Sequence, residues 1–161
     1  MIISNSSTLI LISKVGLTSK LLDHINMLAI PEEVYEEIIE KEEFENLLIK
    51  KEIELKRIVV KKVDTKRYKN KINQFRLDKG EASAYALFCE SKGTVILTDD
   101  KELIKLCRIE NIPFICAMAI VIKLYKEKVI KKEEALEKLN SLNGYGRYSK
   151  DIYKFFMDKV V

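Results

Sequence analysis

Short apolar runs that alternate with longer segments of helical spacing constrain the fold of this chain most strongly. The runs predict strands near residues 1–4, 27–30, 58–60, 94–97 and 112–115. Strands that are separated by crossover helices pair in parallel, and the helices cover both faces of the sheet. We therefore expect a helix-rich, three-layer α/β/α fold with a central parallel sheet.

Cap residues and helical spacing predict where the helices begin and end. The polar residues 5–7 supply caps for a first helix, which Gly16 ends. Pro31 fits the first turn of a helix that carries Val34, Ile38 and Ile39 on one face. Another helix starts near Gly80. Further helices are predicted at residues 99–110, 117–126, 131–142 and 149–160, with a turn at 143–146.

Length and composition predict a single domain over residues 1–161. The chain has 47% hydrophobic and 34% charged residues, which is enough for one sizeable core. No apolar run approaches the roughly 20 residues of a membrane-spanning helix, and the N-terminus lacks a basic leader region. We expect a cytoplasmic protein with no membrane partner. The three cysteines lack metal-type spacing and are expected to be reduced core thiols.

Basic residues are concentrated between residues 50 and 79, where they clearly outnumber acidic ones. Such a surplus suits the phosphate backbone of a nucleic acid. The candidate RNA-binding residues in it are Lys61, Lys62, Arg67 and Lys69. A solvated lysine-rich surface is the equally open alternative.

Acidic and amide side chains follow the predicted strands. Asn5 follows the first strand, Asp99 and Asp100 follow the strand at 94–97, and Glu81 opens a helix that packs on the sheet. In a parallel sheet these positions converge at one end. A partly dry cluster of carboxylates is costly without a cation, and Mg²⁺ or Mn²⁺ prefers oxygen ligands. Metal-assisted hydrolysis of a phosphodiester is the chemistry that suits such a cluster.

Each carboxylate also has a purely structural interpretation. Asp99 is followed three residues later by Glu102, which matches a capping box and would leave Asp100 as the better metal ligand. Glu81 could simply complement a helix macrodipole. Glu37 lies in EEVYEEII, where a solvated acidic face would ordinarily be favoured.

Other reaction classes find little support. His24 is the only histidine, and no serine or cysteine has a base motif beside it, which disfavours a histidine-based triad or a zinc site. The chain has no Gly-rich phosphate loop of a nucleoside triphosphatase or dinucleotide enzyme. A phosphoacceptor domain would need another aspartate at the end of a central strand, and none can be placed convincingly.

Several motifs in order resemble the PIN domain family of metal-dependent nucleases, particularly the small prokaryotic group related to VapC toxins. The motifs are ISNSSTLILISKVGL, IPEEVYEEI, DKGEASAYAL, VILTDDKELIKLCRIENIPFI and NGYGRYSKDIYKFFM. They extend over nearly the whole chain.

The resemblance implies a Mg²⁺- or Mn²⁺-dependent endoribonuclease, the toxin of a toxin–antitoxin pair. It implies a metal shell of Asn5, Glu37, Glu81, Asp99 and Asp100, the four carboxylates being catalytic. Ser7 and Thr98 would be supporting residues. Asn5 stands where most active relatives have aspartate, so a catalytically silent PIN-like module that binds RNA or a protein is the alternative.

The resemblance also implies partners. RNA is the expected substrate. A small antitoxin protein would place an amphipathic segment in a groove, with a basic side chain near the acidic site. A homodimer is expected as well.

Overall fold

A computed structural model of the chain describes residues 1–146 and 148–160, and every element below belongs to these residues. The five strands are β1 (Ile2–Ser4), β2 (Leu28–Pro31), β3 (Ile58–Lys61), β4 (Val95–Leu97) and β5 (Phe114–Ile115). The helices of the first half are α1 (Ser6–Lys14), α2 (Thr18–Asp23), α3 (Glu32–Ile39), α4 (Phe44–Glu54) and α5 (Lys69–Ile72). Those of the second half are α6 (Lys79–Ser91), α7 (Lys101–Ile109), α8 (Ala117–Lys126), α9 (Lys132–Tyr145) and α10 (Lys150–Asp158). A short 3₁₀ helix at Thr65–Tyr68 precedes α5.

The strands form one parallel sheet in the order β3-β2-β1-β4-β5. Helices connect each strand to the next, as parallel pairing requires. The predicted α/β fold is therefore confirmed, and each strand lies within two residues of its predicted position.

The sheet has a topological switch point between β1 and β4. From β1 the chain proceeds to β2 on one side, and from β4 it proceeds to β5 on the other side. The connections therefore diverge and leave a crevice at the carboxyl ends of β1 and β4, which is where parallel sheets bind ligands.

Two hydrophobic layers cover the sheet, one on each face. Leu28, Ile30 and Leu97 belong to the layer that contains much of α1, α8 and α9. Ile3 and Ile96 belong to the opposite layer, with α6 and α7. Because successive strand residues point to opposite faces, β1, β2, β4 and β5 each supply both layers, whereas β3 contributes to the first layer only. The packing holds the helix starts at the carboxyl end of the sheet.

Some predicted boundaries were wrong. Pro31 ends β2 and caps α3, so it is not in the first helical turn. Ile39 is 39% exposed, because the helix ends there and turns it away from the core. The turn predicted at 143–146 is wrong up to Tyr145, because α9 continues through Gly144, which has no positive φ and stays helical.

The three cysteines are free thiols, as expected, but only Cys107 is fully buried. Among the residues that the structure describes, every helix is too short or too polar to cross a bilayer.

Candidate active site

Asn5 and Thr98 join the two central strands at the switch point. Asn5 is 3% exposed and caps α1, since its Oδ1 accepts hydrogen bonds from Thr8 N at 3.1 Å and Ser7 Oγ at 3.4 Å. Its Nδ2 donates to Thr98 Oγ1 at 2.9 Å, and Asp100 N donates to the same hydroxyl oxygen at 3.0 Å. Both polar atoms of the Asn5 side chain thus already have hydrogen-bond partners within the protein.

Asp99 lies among hydrogen-bond donors. Thr8 Oγ1 donates to its Oδ1 at 2.7 Å, and Ala117 N lies 3.1 and 3.3 Å from its two oxygens. Tyr148 OH donates to its Oδ2. Burial, followed by the nearby Asp99 charge, raises the pKa of Tyr148, so the phenol remains protonated and can donate. Asp99 therefore ties α1, α8 and the segment before α10 to the end of β4.

Asp100, and not Asp99, caps α7. Its Oδ2 accepts a hydrogen bond from Leu103 N at 2.8 Å. The predicted capping box of Asp99 and Glu102 is wrong, because Asp99 points toward Ala117 and Glu102 pairs with Lys105 at 2.9 Å. Asp100 is therefore not free of a capping role, contrary to expectation, although its Oδ1 takes no part in the cap.

The capping box of this site lies at the start of α6. Asp78 Oδ1 accepts from Glu81 N at 2.8 Å, and Glu81 Oε2 accepts from Asp78 N at 2.9 Å. Sequence reasoning missed Asp78, although the D-x-x-E spacing of Asp78 and Glu81 is the signal for this arrangement. Glu81 does serve its helix start, as its structural interpretation proposed.

Glu37 reaches the same helix start from α3. Ser6 Oγ donates to its Oε2 at 2.6 Å, while its Oε1 lies against Gly80. A Cβ at position 80 would collide with that oxygen, so glycine permits the close approach. Glu37 is half-buried and does not belong to a solvated face. Burial and the nearby Asp78 and Glu40 charges raise its pKa, with the Ser6 hydrogen bond opposing.

Negative charge is crowded between Glu81 and Asp100. Partial burial raises the pKa of Glu81 to about 8, and repulsion from Asp78 and Asp100 adds to the rise. The Asp78 N–H lowers it only in part. Within residues 1–146 and 148–160, neither Glu37, Asp78, Glu81, Asp99 nor Asp100 forms an ion pair with Lys or Arg. The cluster therefore has no cation of its own in this part of the chain.

The donor set suits a hard divalent cation held with water. No three Asp, Glu, His or Cys side chains of the described residues converge closely enough to hold a metal alone. Mg²⁺ usually keeps several waters and binds through one or two carboxylates together with substrate phosphates. Glu81 and Asp100 fit that requirement, because each has one oxygen fixed by a helix cap and a second outside it.

The predicted RNA-binding residues, Lys61, Lys62, Arg67 and Lys69, are all exposed. Lys61 is the last residue of β3, at the carboxyl end of the sheet that also carries the acidic cluster, and the other three residues follow it in the chain. The segment then crosses toward α7, where Lys71 Nζ lies 3.2 Å from Glu110 and Arg76 N donates to Glu102. Arg76 therefore lies near the start of α7, which Asp100 caps, whereas Lys71 lies near the other end of this helix.

A family model described as a PIN domain matches residues 1–160. No curated protein and no solved structure matches the chain.

Proposed function

This chain belongs to the PIN domain family, and from that premise we propose that it is a metal-dependent endoribonuclease, the toxin of a toxin–antitoxin pair. PIN domains have a nuclease-type fold and are generally dependent on divalent metals. The observation that carries the proposal is the crowded Glu81 and Asp100 pair, which lies at the switch point. Carboxylates that crowd together suit a divalent cation, and the bound cation in turn would attract a phosphodiester.

Glu81 and Asp100 would hold Mg²⁺ or Mn²⁺, with Glu37 beside them. The ion, when bound, supplies water activation and neutralises charge that develops on the phosphate. The helix caps fix Glu81 Oε2 and Asp100 Oδ2, which orients the other oxygen of each carboxylate. Ser6 and Gly80 position Glu37 against the start of α6.

The raised pKa of Glu81, about 8, belongs to the metal-free site, and a bound cation would lower it and hold Glu81 as an ionised ligand. Asp99 has a different role in this proposal, since its hydrogen bonds make it an anchor that positions Asp100 rather than a metal ligand.

The basic segment would bind the RNA backbone. Phosphate contacts give affinity without sequence preference and weaken as salt rises. Replacing Lys61, Lys62, Arg67 and Lys69 together with alanine should lower RNA affinity and flatten its salt dependence. Unchanged RNA affinity and an unchanged salt dependence would show that this segment does not bind the RNA backbone.

A catalytically silent RNA-binding or protein-interaction module is the second candidate. Asn5 favours it, because a neutral amide occupies the position and both of its polar atoms are already engaged. Asn5→Asp is compatible with the fold, since an aspartate still caps α1 and the Thr98 hydroxyl can donate to it. The substitution therefore adds charge with little structural change.

The test is cleavage of a mixed set of labelled RNAs with Mg²⁺ or Mn²⁺. It compares the native chain, Asn5→Asp and Glu81→Ala. Metal-dependent cutting by the native chain that Glu81→Ala abolishes would support the nuclease. Cutting by Asn5→Asp alone would identify an intact scaffold that one amide disables. No cutting by the native chain or by Asn5→Asp would favour the binding module.

The toxin role adds two further proposals. A small antitoxin would bind with an amphipathic segment and bring a basic side chain to the acidic cluster. The protein would also form a homodimer, which size-exclusion chromatography with light scattering tests; a monomer at high concentration would refute it.

A further inference from the structure

Asp78 belongs to the acidic cluster but has only a capping role in the proposed function. Its Oδ1 accepts a hydrogen bond from Glu81 N at 2.8 Å, and its N–H donates to Glu81 Oε2 at 2.9 Å. The second carboxylate oxygen, Oδ2, takes no part in this cap. A helix cap needs an acceptor oxygen rather than a charge, since asparagine and serine cap as well as aspartate does. The negative charge of Asp78 is therefore not explained by the cap.

A cavity of about 50 Å³ places Asp78 beside the proposed cation site. Asp78 lines it together with Glu37, Glu81 and Asn5, and apart from Gly80 every lining residue has a polar side chain. A water molecule occupies about 30 Å³ in the liquid, so the cavity has room for water and is far too small for a nucleotide. Its size and polarity suit the water molecules of a hydrated ion.

The carboxylates around this cavity repel one another. Burial is the main cause of the raised pKa of Glu37 and of Glu81, and repulsion by the Asp78 charge adds to the rise in both. Asp78 forms no ion pair with Lys or Arg among the residues that the structure describes. A cation bound nearby would turn this repulsion into attraction.

Contact through water is the mode of cation binding that fits Asp78. Mg²⁺ binds directly through one or two carboxylates and keeps several waters, and Glu81 and Asp100 fill the direct positions in the proposed function. Asp78 is exposed, and no three acidic side chains of the described residues converge closely enough to hold an ion directly. Groups outside the direct ligands commonly tune the affinity of a metal site.

We propose that Asp78 is a positioning residue of the cation site, which holds the start of α6 through Oδ1 and stabilises the hydrated Mg²⁺ or Mn²⁺ through its charge. The inference rests on the proposed metal-dependent function and extends it, because it assigns part of the cation affinity to a carboxylate that does not contact the ion. If Asp78 acted only as a cap, its charge would not affect cation affinity.

Mn²⁺ binding without RNA tests this inference. The full chain is stripped of metal with EDTA, dialysed, and titrated with Mn²⁺ in a calorimeter. Asp78→Asn and Asp78→Ser remove the charge and keep the N-cap, and each should weaken Mn²⁺ binding about three- to tenfold. This difference from the native chain should shrink as KCl rises from about 0.05 M to about 0.5 M, because salt screens an exposed charge.

Asp64→Asn is the matched control. Asp64 is another exposed N-cap, whose Oδ1 accepts a hydrogen bond from Lys66 N at 3.0 Å, and it does not line the cavity. Asp64→Asn should therefore bind Mn²⁺ within about twofold of the native chain. Circular dichroism melting of the metal-free proteins checks folding, and Asp78→Asn should melt at or above the native temperature because it relieves repulsion.

The outcomes separate this inference from the proposed function. Native Mn²⁺ affinity in Asp78→Asn and Asp78→Ser, in a chain that cleaves RNA, would overturn the inference and keep the nuclease. Weaker, salt-sensitive Mn²⁺ binding by both variants, in a native chain that does not cleave RNA, would support the inference and reject the nuclease. The inference would also be overturned by a native chain that does not bind Mn²⁺, by a loss that Asp64→Asn shares, or by a loss that salt leaves unchanged.

Discussion

Asp99 and Asp100 are adjacent in the chain but have opposite surroundings. Asp99 receives hydrogen bonds from Thr8, Ala117 and Tyr148, and it connects three parts of the fold. Asp100 accepts the cap hydrogen bond from Leu103 N and lies in contact with Glu81, and it has no ion pair with Lys or Arg among the described residues. A carboxylate whose oxygens accept several hydrogen bonds, such as Asp99, stabilises the fold. Carboxylates that repel each other, such as Glu81 and Asp100, favour binding of a cation.

Removing the charge of Glu81 or Asp100 should have the largest effect on RNA cleavage. Glu81→Gln and Asp100→Asn keep their helix caps, because glutamine suits a capping box and asparagine is as good an N-cap as aspartate. Metal-dependent RNA cleavage should fall by roughly 10²- to 10⁴-fold, while thermal stability stays equal or rises. Gel-based rates check this. Glu90→Gln, at the exposed far end of α6, is the control and should keep full activity. RNA cleavage by Glu81→Gln at the native rate would refute the assignment of Glu81 to the metal-dependent chemistry.

Gly80→Ala tests how closely Glu37 must approach the start of α6, where Glu81 lies. The added methyl meets Glu37 Oε1, and this long side chain can move aside, so stability should change little. The displaced carboxylate should slow cleavage by roughly tenfold to a hundredfold. Gly144→Ala is the matched control, since nothing lies within 4 Å of its added methyl. Equal rates for both variants would show that the position of Glu37 is unimportant.

Asp99→Asn should instead reduce stability. An amide cannot accept from all the donors around Asp99, so a donor loses its partner at a cost of about 1–3 kcal/mol in the free energy of unfolding. Tyr148→Phe removes a single donor and should cost only about 0.5–1.5 kcal/mol. Urea denaturation measures both. Loss of cleavage by folded Asp99→Asn, with native stability, would place Asp99 in the chemistry.

Titration of Glu81 should also make the stability of the fold depend weakly on pH. Glu81 has a pKa of about 8 in the folded chain against an ordinary value of 4.5, so the folded state binds more protons between these values. Without metal, the melting temperature should therefore fall as pH rises from about 4.5 to about 8. Glu81→Gln should flatten this decline, and excess Mg²⁺ should reduce it. A decline that is identical in Glu81→Gln would assign it to other groups.

Local patterns were enough to predict the sheet, because each strand is an apolar run whose neighbours carry caps and helical spacing. They were also enough to bring Asn5, Glu81 and Asp100 to one end, since parallel strands share a direction. The fit of Glu37 against Gly80 was not predictable, because it depends on how α3 packs beside α6. The helix cap was assigned to Asp99 instead of Asp100 because both fit a helix start, and only contacts with Ala117 and Tyr148 distinguish them.

Mn²⁺ binding, measured by isothermal titration calorimetry, tests the difference between the two aspartates most directly. We expect the native chain and Asp99→Asn to bind with similar affinity, and Asp100→Asn to bind at least about tenfold more weakly because it lacks a carboxylate ligand. Lost binding in folded Asp99→Asn together with native binding in Asp100→Asn would contradict the site proposed at Glu81 and Asp100.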